Sequence, residues 1–187
     1  RVEVTAAPWT YLLSPDGDLR CGIGRNGLHL GFSGAQLLRP WSEVGDLALA
    51  LYQDYVAMAG VTDIFRIGML SENTFSILVP DARELPLNDA CFIFPAIPPL
   101  GDGLPGAFGL WMEVHFVAPP MSQVKVSLEL VDADVEEPKV HFQLNLDHST
   151  TSFPESMPDK TPKAIREWLD VGFQRIRQVY GTTVKPS

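Results

Sequence analysis

The stretch KVHFQLNLD, residues 139–147, alternates apolar and polar side chains without a break. Successive side chains of a β-strand point to opposite faces. Val140, Phe142, Leu144 and Leu146 therefore share one face, and His141, Gln143, Asn145 and Asp147 share the other. Two earlier stretches repeat the pattern. LWMEVHFV (110–117) sets Met112, Val114 and Phe116 against Glu113 and His115; QVKVSLELV (123–131) sets Val124, Val126, Leu128 and Leu130 against Lys125, Ser127 and Glu129. Three such strands in succession predict an antiparallel meander with one buried face and one wet face. The chain closes with a helix expected from about Pro162 to Tyr180, Pro162 suiting the first helical position. Its apolar stripe, Ile165, Trp168, Leu169, Gly172, Ile176 and Val179, is predicted to cover the buried face of the meander.

The first third has a similar outline. PWTYLL (8–13), LRCGIG (19–24) and LHLGF (28–32) read as three strands. SPDGD supplies one tight turn, and RNG a second in which Asn26 and Gly27 tolerate positive φ. His29, between two leucines, points away from their face. A helix is expected from about Ser42 to Ala59, with Ser42 as N-cap and Glu43 and Asp46 in the first turn. Val44, Leu47, Leu51, Tyr55 and Met58 recur at helical spacing, and Gly60 ends it. Two short strands, DIFRIGM (63–69) and TFSILV (74–79), follow. Residues 80–108 hold six prolines and Gly101, Gly103 and Gly106. They read as a crossover with one short strand at CFIF (91–94), and a loop of this length is often a binding element. The expected organisation is α+β: one domain over 1–187, largely antiparallel. Its two meander-plus-helix halves, about 8–79 and 108–184, are joined by the Pro/Gly-rich segment 80–107.

Composition narrows the function classes. The chain has 187 residues, 45% of them apolar, and carries a net charge of −9 at a sequence pI of about 4.8. So acidic a fold repels phosphate backbones, and its basic residues are scattered. The nearest approach to a cluster is Lys163, Arg166, Arg175 and Arg177 on the terminal helix. Nucleic acid is not an expected partner. No run approaches the 18 apolar residues of a membrane span, and no secretory leader pattern opens the chain. Two cysteines, Cys21 and Cys91, stand outside any motif and fit buried thiols in a reducing compartment. A cytoplasmic location follows as an expectation.

SPDGDLRCGIGRNGLHL, then an amphipathic helix, then RIGM, then LNLD before a terminal helix resemble a sporadically distributed, uncharacterised bacterial protein family. That family shows a hairpin, a helix, an Arg-(Ile/Val)-Gly-Leu strand and a C-terminal strand and helix in this order. Arg66, Gly68 and Asn73 match its central motif. Leu70, Ser71 and Thr74 depart from it, standing where Arg, Tyr and Arg are expected. The resemblance implies an accessory role on mobile or defence loci, and no reaction, cofactor or catalytic residue.

Motifs for chemistry are nearly lacking. GIGRNG (22–27) has G-x-G-x-x-G spacing, but a strand follows it, so no helix N-terminus faces a phosphate. GFSGA (31–35) lacks the second glycine spacing of a nucleophile elbow. His115 and His141 would stand about 10 Å apart across an intervening strand, too far to share an ion. His148 falls on the face opposite His141 or past the strand end. No catalytic, cofactor or metal residue is expected. The reading is a non-catalytic protein that acts through protein contacts. Its candidate face is Glu113, His115, Lys125, Glu129, His141, Gln143, Asn145 and Asp147. The alternative is a small-ligand binder with an apolar cavity between the meander and the terminal helix, lined by Trp111, Trp168, Phe173 and Phe108.

Overall fold

The alternating strands assemble as expected. In the computed structural model, which describes residues 10–24, 27–33, 39–60, 66–78, 87–91, 109–134, 139–150, 155 and 157–185, the secondary structure is α+β. Three strands, β1 (Thr10–Leu13), β2 (Leu19–Gly24) and β3 (Gly27–Phe32), precede helix α1 (Trp41–Ala59). Then come β4 (Gly68–Leu78), a helical turn α2 (Leu87–Ala90), β5 (Gly109–Phe116), β6 (Ser122–Asp134), β7 (Lys139–Ser149) and helix α3 (Pro162–Thr183). The chain divides into two units, one of residues 1–64 and 158–169, the other of residues 65–157 and 170–187.

In the second unit the four strands form an antiparallel sheet of order β4-β7-β6-β5. Val124, Val126, Leu128, Val140, Phe142, Leu144 and Leu146 are fully buried on one face. Ile176 and Val179 of α3 pack on them, with Leu87 of α2 and Cys91 completing the core. At roughly 1.5–3 kcal/mol for each large aliphatic or aromatic side chain buried, this layer dominates the unit's stability. Phe142 also stacks on Phe75 across the sheet, ring centroids 5.7 Å apart.

Two expectations about this unit are corrected. The two short strands expected at 63–69 and 74–79 are one continuous strand, β4 (residues 63–65 and 79 lie outside the described set). Ser71, Glu72 and Asn73 looked like a break. Instead Ser71 and Asn73 sit on the core side, where the Asn73 amide donates to Ser71 Oγ at 3.2 Å and to the Leu144 carbonyl at 3.5 Å. β4 also pairs with β7 rather than with the N-terminal strands. Within 80–108, α2 and Cys91 are ordered parts of the core, and Cys91 bridges to Val184. The rest of the strand expected at 91–94 lies outside the described residues.

In the first unit β1, β2 and β3 form an antiparallel meander. Its register places Leu12, Cys21, Ile23, Leu28, Leu30 and Phe32 on one face. Gly22, Gly24, Gly27 and Gly31 lie on the other, with Tyr11, Arg20 and His29. The glycine spacing of GIGRNG is thus a small-residue sheet face and no phosphate loop (Arg25 and Asn26 are outside the described residues). Tyr55 of α1 is buried and its hydroxyl donates to the Gly24 carbonyl at 3.2 Å. Helix α1 starts one residue earlier than expected: Pro40 occupies the N-cap, and no side chain caps the helix. Ser42 therefore lies inside the first turn, where its carbonyl accepts from Arg166 at 3.4 Å. Gly60 ends the helix in the left-handed conformation, φ 62°, as its position predicts.

Candidate functional site

The outer face of the four-stranded sheet gathers all eight residues of the candidate face. Reading across the strands, one row runs Trp111, Ser127, Asn145 and Glu72. The adjacent rows are Glu113, Lys125, Asp147, Leu70 and Gly109, Glu129, Gln143, Thr74. The side chains satisfy one another. Gln143 Nε2 donates to Asn145 Oδ1 at 2.9 Å and to Glu72 Oε1 at 3.4 Å; Asn145 Nδ2 donates to Ser127 Oγ at 3.5 Å. Arg66 pairs with Asp147 at 3.1 Å, and His115 with Glu113 at 3.4 Å. The family-motif positions separate: Arg66 joins this face, Gly68 opens β4, and Asn73 faces the core.

Ser76 and His141 meet at the β-bulge of β6, the Ser76 hydroxyl 2.8 Å from His141 Nδ1, beside a depression of about 340 Å³. A hydroxyl–imidazole pair is the minimal part of a nucleophile–base couple. Acyl transfer also needs donors aimed at the developing oxyanion, and strand N–H groups lie in the plane of the sheet rather than out of its face. The pair is one more link in the polar network. His115 and His141 are farther apart than one intervening strand requires. His115 is opposite Gln123, which is opposite Ser149, eight residues along β7 from His141. That adds about 27 Å along the strands. Among the described residues no group of three or more His, Cys, Asp or Glu side chains could hold a metal ion.

On the opposite, buried side the structure reveals a polar cluster that the sequence did not single out. His148 follows the even-numbered apolar residues into the core and is fully buried. Its Nε2 lies 2.8 Å from Ser122 Oγ, to which Arg175 of α3 also donates at 2.6 Å. Arg175 donates further to the carbonyls of Ala118 (3.0 Å) and Pro120, tying α3 to the β5–β6 turn, where the Pro119–Pro120 peptide is cis. Its guanidinium lies 4.7 Å from the centre of the Phe116 ring. Burial, and secondarily the Arg175 charge, hold His148 down at about 4. It is neutral at physiological pH. An enclosed cluster of this kind fastens elements together.

Trp111 is also displaced from its expected place. It stands on the outer face, 68% exposed, with the Lys125 ammonium 5.5 Å from its ring centre, and lines no space under α3. Trp168 is buried, Phe173 lies beneath Arg177, and Phe108 is outside the described residues. The basic residues of α3 are likewise engaged: Lys163 with Glu167 at 3.8 Å and Arg166 with Asp46.

Exposed apolar side chains also gather on the first unit. Leu12, Leu13, Leu28, Leu51, Tyr55 and Met58 line an open groove of about 370 Å³ between the three-stranded meander and α1, with Cys21 at its floor. Leu12 is 57% exposed and Met58 72%. Met58, one of the apolar residues recurring at helical spacing along α1, lies on the groove's rim. The outer edge of β1 has no strand partner among the described residues. The sequence hinted at this patch only through the run YLL at residues 11–13. The chain matches no protein-family model, no curated protein and no solved structure.

Proposed function

We propose that this chain is a non-catalytic interaction protein whose meander–α1 groove receives an apolar segment of another protein. The observation that supports it most is the groove itself. Large apolar side chains left in water cost free energy, and contiguous exposed patches of them mark contact sites. An extended apolar segment would fill this space with its side chains. The polar face of the other sheet, internally paired, suits the rim of a contact better than its centre. The same groove is also of small-ligand size, which supports a lipid-like apolar ligand as the second reading. A cytoplasmic, accessory role extends the proposal. Cys21 and Cys91 are free and buried, and burial raises both thiols.

Co-purification from the native host tests it. The wild type and Gln53→Asp, on an exposed position outside the groove lining, should retain a stoichiometric partner. Leu12→Asp with Met58→Asp should lose it while melting at the same temperature. Retention by the groove variant would defeat the proposal, and a bound lipid in place of a protein would favour the second reading.

A further inference from the structure

We propose that the outer face of the four-stranded sheet binds a neutral saccharide chain. One pyranose ring stacks on Trp111, and the units beyond it hydrogen-bond along Ser127, Asn145 and Glu72. Trp111 projects from an otherwise polar face and is 68% exposed, whereas Trp168 is buried and Trp41 half-buried. An indole left in water is a large apolar area with a negative ring face. The axial C–H groups of a pyranose are apolar and weakly positive. They cover such a ring while the sugar's hydroxyls, at its edge, stay available for hydrogen bonds.

The row beside the indole suits hydroxyl groups. Strands lie about 4.8 Å apart, close to the length of one pyranose unit in an extended chain. Ser127, Asn145 and Glu72 follow Trp111 at that step, one on each successive strand. The bonds among these side chains use only part of each group. Ser127 Oγ accepts from Asn145 and keeps its own hydrogen; Asn145 keeps a second amide hydrogen, and Glu72 a second carboxylate oxygen. The row therefore offers donors and acceptors together, and a sugar hydroxyl is both at once. Charge selects against other ligands. Four carboxylates, Glu72, Glu113, Glu129 and Asp147, share the face with Lys125 and Arg66, and this excess repels phosphate, sulfate or uronate groups. A cationic peptide would meet a ring already attended by the Lys125 ammonium, 5.5 Å from its centre. Lys125 forms no ion pair among the described residues, so no carboxylate draws it from the ring. The inference is independent of the groove, which lies on other strands.

NMR titration of the isotopically labelled full chain tests it. Cellotetraose and xylotetraose, both neutral β-linked pyranose chains, should shift the Trp111 indole N–H and the Asn145 side-chain amide. Trp111→Ala, read on the Asn145 signal, should weaken binding at least about tenfold, and Trp111→Phe should recover part of that loss. Glu72→Ala, which leaves the ring in place, should weaken it several-fold. Both residues are exposed, so the variants should melt with the wild type. No shift with either oligosaccharide at millimolar concentration, or an affinity indifferent to Trp111→Ala, would overturn the proposal. Larger shifts of the same signals by tetralysine or by tetragalacturonate would overturn it as well.

Discussion

Gly172→Ala tests whether α3 lies on the sheet as described. Replacing a helix-interior glycine by alanine normally stabilises by about 1 kcal/mol, because glycine has the greater backbone freedom to lose. At Gly172 the added Cβ would stand 2.7 Å from His148 Nδ1 and 3.0 Å from its Cε1. The ring has little room to give. It is fully buried, and its other nitrogen is held at 2.8 Å by Ser122, itself bonded to Arg175. Overpacking at such a site costs roughly 1–3 kcal/mol, so the net change should run from neutral to about 2 kcal/mol destabilising. Gly181, in the same helix, has nothing within 4 Å of its Cβ position. Gly181→Ala should therefore gain up to about 1 kcal/mol. Urea unfolding of both variants beside the wild type reads the difference. At a slope of about 1–3 kcal/mol per molar, the two midpoints should separate by on the order of 1 M. Equal stabilisation by both substitutions would show that His148 does not pack against α3, and the placement of the helix would fail.

The alternation of β7 predicts that Phe142→Ala costs roughly 3–5 kcal/mol, whereas His141→Ala and Asn145→Ala stay within about 1 kcal/mol, since each removes a side-chain hydrogen bond near water. Chemical denaturation decides, and the reverse order would mean an inverted strand. His148 predicts a pH dependence. Its folded value of about 4 lies below the unfolded 6.5, so the unfolded chain takes up the proton first as the pH drops. Stability should be fully present above pH 6.5 and fall toward pH 4 by up to about 3 kcal/mol. His148→Gln should flatten that part of the curve; an unchanged slope would place the titrating group elsewhere.

Strand faces were legible because a two-residue period needs no tertiary information, and β5, β6 and β7 follow it closely, as α3 follows the helical period. Neighbour order was not legible. Alternation assigns a face to β4 but cannot say that β7, seventy residues away, is its partner. Ser71 and Asn73 read as a break because the Asn73 bond to the Leu144 carbonyl closes only once β7 is beside them. For the same reason Arg175 looked like one of a scattered basic set, and His148 was read only as opposite His141 or past the strand end, the first of which holds. Their shared partner, Ser122, lies on a different strand. The groove was missed for a third reason. Helical periodicity set Met58 in line with Leu51 and Tyr55, and periodicity cannot report that Met58 is 72% exposed.

Site-specific photocross-linking in native cells is the most direct test of the groove as a docking site. A benzophenone side chain in place of Met58, on the rim, should give one discrete protein adduct, and the same group at Gln53 should give none. Competition by Leu12→Asp in the Met58-labelled chain should remove the adduct. Equal labelling from both positions, or an adduct indifferent to Leu12, would contradict the assignment of this groove as the protein's working surface.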